Sequence, residues 1–275
     1  MHRPGSMAYA CFAGAVCLIA AIGLLAPRAG LSSGFAQSPP PEGSAAADRG
    51  GPRKGAALPL VAIIIDDMGY HQRIGRALLD LDLNLTFSFL PDGPFTPALQ
   101  ERAWREEHDV LVHMPMEAHD PARNSGPGTL LADDPPEVIA EKVARNLATV
   151  PRAVGVNNHM GSRFTENPEA VQLFLHQIAA KGLFFIDSGT TPRSVAMETA
   201  RSLGIPTGRR HVFLDNSDRR EDICLRLGEL VELAVRSGEA IGIGHPGEAT
   251  LEALNGCGEM LTGRVRVVGI GELAR

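Results

Sequence analysis

Two adjacent carboxylates end an apolar run in Ile63-Ile64-Ile65-Asp66-Asp67. Burying two like charges side by side is costly, so the pair is expected to divide its work. One carboxylate would bind a cation while the other is hydrogen-bonded or acts as a base. Imidazoles follow at the ends of two later runs, His113 in His113-Met114-Pro115-Met116-Glu117 and His159 in Asn157-Asn158-His159-Met160-Gly161-Ser162. A carboxylate and two imidazoles form a three-ligand set that leaves positions open for water, as in catalytic zinc centres. Taken alone, Asp66-Asp67 also reads as a cap for the turn at Met68-Gly69. Other runs close on Asp187-Ser188, on Asp215-Asn216 and on Ile243-Gly244-His245-Pro246. With Pro246 read as the first residue of a helix, His245 falls at the cap, where the helix N-terminus disfavours an imidazolium and lowers the pKa. Simple capping of a tight turn is the competing reading of His245.

These residues need a scaffold that brings strand ends to one face. From Leu58 onward, runs rich in Val, Ile and Phe (60–65, 83–90, 110–112, 153–156, 183–186, 212–214, 240–243 and 264–268) alternate with stretches of helical period. That alternation predicts an α/β fold, a (β/α) barrel of seven to eight parallel strands, distorted or incompletely closed, with its site at the carboxyl ends of the strands. Thr96-Pro97, Asp134-Pro135, Asn167-Pro168 and Thr191-Pro192 each predict a helix start with Pro at the first helical position. Glu137 adds capping-box spacing to Asp134. The longest connection, 119–133, is expected beside the barrel mouth.

The charge balance, 26 Lys and Arg against 32 Asp and Glu, gives no support for nucleic-acid binding. Aromatic residues make up only 5%, which argues against a long groove paved with stacked rings and for a small glycan site. Residues 1–36 contain an unbroken apolar stretch, 7–25, and are expected to be a signal peptide or an N-terminal membrane anchor. Residues 37–57, rich in Pro, Gly and Ala, are expected to be a disordered linker, leaving 58–275 as the folded domain. The protein would then be periplasmic or otherwise exported, tethered to the inner membrane if the segment is retained. Cys224 and Cys257 lack metal-type spacing and are read as buried thiols, although export would allow them to pair.

The set IIIDDMG (63–69), HMPME (113–117), NNHMGS (157–162), FIDSGT (185–190), FLDN (213–216) and IGIGHP (241–246) resembles the divergent polysaccharide deacetylases. These are a branch of the polysaccharide deacetylase superfamily, whose barrel is of the NodB-like type. The resemblance covers about 58–275. It implies that Asp66 is the general base, Asp67 and His113 are metal ligands, and His245 is the general acid. The superfamily's second metal histidine is replaced at matching spacing by Glu117, so either Glu117 or His159 completes the set. His159 is favoured, with Glu117 contacting the ligands or substituting for one. The superfamily's Arg-Pro-Pro-Tyr segment is absent, and no Trp accompanies the acidic strand ends. The function implied is that of an exported hydrolase dependent on a divalent ion, zinc above others, that removes N-acyl groups from a cell-envelope glycan or small acylated sugar. Asn158 would assist the oxyanion, Asp187 would orient His245 or contact substrate, and Asp215 lies in the same group. Two other readings stand beside it: a catalytically degenerate barrel that binds glycan or regulates, and a metal-free glycosidase using two of Asp66, Asp67, Asp187 and Asp215.

Overall fold

Strand β1 (Leu60–Met68) sets the architecture through the alternation of its side chains. Val61, Ile63 and Ile65 enter the larger apolar cluster, which includes the buried faces of the helices. Ala62 and Ile64 join Leu111, Ile186, Ile241 and Ile243 in a second cluster inside the barrel. A strand buried on both faces must be a continuous apolar run, the pattern that marks it in the sequence. The computed structural model describes residues 57–275; the expected signal peptide or anchor, 1–36, and the expected linker, 37–57, except for its last residue, lie outside the described residues.

After β1 come α1 (Gln72–Leu79), β2 (Thr86–Phe89), α2 (Thr96–Arg105), β3 (Val110–Met116), α3 (Pro136–Thr149), β4 (Gly155–Met160), α4 (Pro168–Ala179), β5 (Phe184–Asp187) and α5 (Ala196–Ser202). The chain continues through β6 (Thr207–Arg209), β7 (Val212–Phe213), α6 (Arg220–Ser237), β8 (Glu239–Gly244), α7 (Glu248–Cys257) and β9 (Arg266–Val267). The strands run in the order β6-β5-β4-β3-β2-β1-β8-β7, with every pairing parallel. β9 pairs with Leu60 and Val61, before β2 joins β1 at Ile64. β6 belongs to β5 and β7 to β8, yet only Arg210 and His211 separate them. The two ends of the sheet are thus halves of one extended segment, and the curled barrel is incompletely closed along that seam. Thr207-Gly208-Arg209 contains no apolar side chain, so β6 gave no strand signal.

The C-terminal segment forms the barrel floor. Val268, Ile270 and Leu273 complete the inner apolar cluster, and the Ile270 N–H donates to Thr86 Oγ1. The opposite end of the barrel is polar. There the 119–133 connection leaves β3 and returns, with the Leu130 N–H bonded to Pro115 O and the Glu117 N–H to Leu130 O.

Of the four expected helix starts, only Asn167 caps as read, its side chain accepting from the Glu169 and Ala170 N–H groups. Thr96 lies inside α2. The Asp134 carboxylate is taken by the Leu131 N–H and Lys142 Nζ, so α3 begins at Pro136 without a capping box. No helix starts at Pro192, and α5 begins at Ala196. Cys224 on α6 and Cys257 at the end of α7 form a disulfide with Cα atoms 5.9 Å apart, so of the two readings, buried thiols or a pair, the structure gives the pair. The geometry comes from α6 packing on α7. A bridge spanning 33 residues restricts the unfolded chain. Replacing both cysteines by Ser is expected to cost roughly 2–4 kcal/mol in denaturant unfolding, checked by midpoints with and without reductant.

Candidate active site

β1 places its last residues by parity. Asp66 follows Ala62 and Ile64 to the inner face, where it is 2% exposed. Asp67 then takes a left-handed backbone conformation (φ 52°) that Asp tolerates better than most residues, and this breaks the alternation. Both carboxylates thereby face one cavity of about 460 Å³, lined also by His113, Asn158, His159 and His245. Met160, ending β4, is likewise left-handed (φ 54°). Two of the strained positions thus flank the site.

Asn157 organises its floor. Its Nδ2 donates to Asp66 Oδ1 (2.6 Å), while its Oδ1 accepts from Ser88 Oγ (2.6 Å) and lies 2.8 Å from His113 Nδ1. The His113 Nδ1–H thus faces the amide oxygen, leaving the Nε2 lone pair of the neutral ring for the cavity. Asp67 Oδ1 lies 3.1 Å from that Nε2 and 2.8 Å from His159 Nδ1. It is buried and accepts no geometrically sound hydrogen bond. Three ligand atoms therefore converge, all within 4.8 Å of one another, with one of them an unpaired buried oxygen. This donor set suits zinc or a similar divalent ion.

The carboxylates differ electrostatically. Burial pushes Asp66 above the usual carboxylate range, with His113, His245 and Asn157 opposing it only in part. Burial also works to raise Asp67, but the close approach of the His113 and His159 rings outweighs it and holds Asp67 far below its ordinary value. For His113, burial opposes the charged form, but Asp66 and Asp67 prevail and raise its pKa. Environments that push two neighbouring carboxylates apart are how acid and base roles are assigned.

His245 corrects the expected direction. Burial would lower its pKa, yet the hydrogen bond to Asp215 (Nδ1 to Oδ1, 3.0 Å) and the charges of Asp66, Asp215 and Asp67 raise it to about 9. It is also not the helix cap, since α7 starts at Glu248 behind Gly247. Asp215 accepts further from the His245 N–H (2.5 Å) and Thr250 Oγ1 (2.9 Å), so it, and not Asp187, orients the imidazole. Asp187 is fully buried, caps the Gly189 N–H and sits 3.5 Å from Arg209. Asn158 spends its amide locally, donating to Met160 O and accepting from the Ser188 N–H. Glu117 lies outside the cluster, paired with Arg163 and the Ala132 N–H beside a separate cavity under the long loop. Sequence reasoning missed Asn157 as the hub, although it stands in the quoted motif. It also missed Arg210 and Phe213, which line the cavity from the seam.

The family model described as divergent polysaccharide deacetylase matches residues 63–274. The chain belongs to the divergent polysaccharide deacetylase family. Within it, the chain is 32% identical over 216 residues to an uncharacterized protein of Haemophilus influenzae, covering 78% of this chain and 76% of that one. To the uncharacterized protein YibQ of Escherichia coli it is 34% identical over 196 residues, 70% of this chain but only 60% of that one. A solved structure, of an uncharacterized protein from Agrobacterium tumefaciens, superposes with a TM-score of 0.76 at 30% identity, covering 81% of this chain and 92% of that one. This divergent deacetylase barrel thus shares its architecture with that solved structure across most of the described domain.

Two measurements probe the site. Asn157→Leu removes the donor to Asp66 and the acceptor of His113, and is expected to cost about 2 kcal/mol in stability and ten- to a hundredfold in zinc affinity by calorimetry. In the metal-free protein, the His245 ring should titrate near 9 by NMR, and Asp215→Asn should move it down toward the ordinary 6.5. Because the folded value is the higher one, the stability from His245 is complete below pH 6.5 and is lost as pH rises to about 9.

Proposed function

We propose that this chain is a metal-dependent hydrolase that removes N-acyl groups, above all N-acetyl, from a cell-envelope carbohydrate. The observation that carries the reading is the division of labour at the end of β1. Asp67 faces His113 Nε2 and His159 Nδ1 with an unpaired oxygen, while Asp66 beside it is buried with a raised pKa. Family membership supports the carbohydrate deacetylase class.

Asp67, His113 and His159 would hold the ion. When bound, a divalent ion supplies Lewis acidity toward the acyl carbonyl and makes a water more acidic. Asp66, kept basic by burial and oriented by Asn157, takes a proton from the attacking water. His245, held by Asp215 and protonated at neutral pH, donates to the departing amine. Asn158 fixes the wall between β4 and β5, since its amide N–H is committed to Met160 O. The apolar segment near the N-terminus would deliver the domain to an exported location, a reading supported by the Cys224–Cys257 bond, which suits an oxidising compartment.

The test is acetate release from acetylated chito-oligosaccharides by the full chain loaded with zinc, cobalt or manganese, alongside its metal content. Asp66→Asn should retain metal and lose at least about a hundredfold in kcat, whereas His159→Ala should lose the metal and turnover together. No acetate with any of these ions, from a chain that still binds glycan, would instead identify the degenerate binding barrel. Cleavage of the oligosaccharide into shorter sugars that keep their acetyl groups, surviving a chelator, would point to a metal-free glycosidase.

A further inference from the structure

Asp66, Asp67, His113, His159 and His245 account for the chemistry at an acyl group, but they leave one charge in the cavity without a task. Arg210 lies at the seam between β6 and β7 and lines the same cavity. Its Nε donates to Ser188 O (2.6 Å), its Nη2 to Gly189 O (2.8 Å), and its guanidinium packs over the Phe213 ring at 5.0 Å. These contacts hold the group rigidly, but every protein partner is neutral. The adjacent Arg209 takes Asp187, and among the described residues no carboxylate forms an ion pair with Arg210. Burial of the guanidinium weakens its hold on its proton, with Asp66 and Asp187 compensating only from a distance. Nη1, and the second N–H of Nη2, have no acceptor among the described residues.

A half-buried guanidinium without a counter-ion is costly unless a ligand supplies one. Internal neutralisation does not remove the surplus, because the charges of Asp66 and Asp67 would be balanced by the divalent ion that the site fits. Arg123, reaching into the cavity from the long loop, adds a second guanidinium at the rim, where its only carboxylate among the described residues is Asp120 at 3.9 Å. We propose that Arg210 determines substrate specificity, receiving a carboxylate carried by the acylated sugar while the acyl group lies at Asp66, the Asp67–His113–His159 cluster and His245. A carboxylate fits better than a dianion because one fixed guanidinium offers one charge and a planar pair of donors. The substrate class is then an acidic acylated saccharide. This deepens the carbohydrate reading given above and rests on it.

The experiment is titration calorimetry of the full chain with N-acetylchitotetraose and with the same tetrasaccharide oxidised at C6 to the uronic acid. The carboxylated sugar is expected to bind about tenfold tighter or more, the least that a charge-assisted contact contributes. Raising the salt from roughly 50 to 500 mM should narrow that advantage. Arg210→Gln should bring the ratio of the two affinities close to one, and Arg210→Lys, which keeps the charge but loses the fork, should retain part of it. Both variants are checked for a wild-type thermal transition, and Arg210→Lys carries the test if Arg210→Gln does not fold. Equal binding of the two sugars by the wild type, binding of neither, or an equal loss for both in the variants would overturn the proposal. An Arg210-dependent preference without acetate release would refute only the hydrolase reading. Acetate release without discrimination between the sugars would refute only the role of Arg210.

Discussion

A buried carboxylate at the end of a central strand must find partners, and the amide of Asn157 is the partner on which the rest of this site depends. One side chain satisfies Asp66, faces the Nδ1 of His113 and accepts the hydroxyl of Ser88. Those contacts tie β1, β2, β3 and β4 together at one level inside the barrel. The amide has a donor end and an acceptor end, and each is matched to the group it meets. Turning the amide over would set its oxygen against the Asp66 carboxylate and its N–H groups against two donors. The orientation of His113, and through it the convergence on Asp67, therefore follows from a residue that touches no substrate in the mechanism.

The barrel separates an oily end from a polar one by continuing the same inward positions along each strand. On β1 the inward series runs Ala62, Ile64, Asp66; on β3 it runs Leu111, His113. Beneath this polar layer, Val268, Ile270 and Leu273 from the end of the chain fill the interior. Water is thus excluded from below, while the mouth stays open to solvent. Low polarizability beneath the site is what lets burial raise Asp66, while Asp67, one residue further and turned by its left-handed backbone, meets both imidazoles.

The seam supplies the remaining parts. Because β6 and β7 are two halves of one segment, Arg210 falls where the backbone changes partners from β5 to β8. Its N–H reaches Asp187 O, and that of His211 reaches Ile241 O. Asp215 follows two residues after β7 and meets His245 one residue after β8, so the pairing of two short strands brings the acid and its orienting carboxylate together.

Much of this was legible in the sequence because burial on both faces of a parallel strand demands an apolar run, and a polar residue ending such a run stands out. The strand ends at Asp66-Asp67, His113, His159 and His245 are identifiable for that reason, as is the barrel that gathers them. Export and the two N-terminal segments remain expectations from composition, since residues before 57 lie outside the described residues. What the sequence leaves open depends on contacts between residues distant in the chain. Asp215 and Asp187 both follow apolar runs, and only the pairing of β7 with β8 decides that Asp215 holds His245, reversing the pKa direction expected from a helix end. Glu117 occupies the spacing of a ligand, but Arg163, 46 residues away, draws it aside and leaves His159 opposite Asp67. Cys224 and Cys257 meet because α6 packs on α7, which no local signal records. Residue type and strand register determined which groups could do chemistry, whereas partner choice, and with it charge and orientation, was decided by tertiary structure, because electrostatic interactions follow distance in space and not separation along the chain.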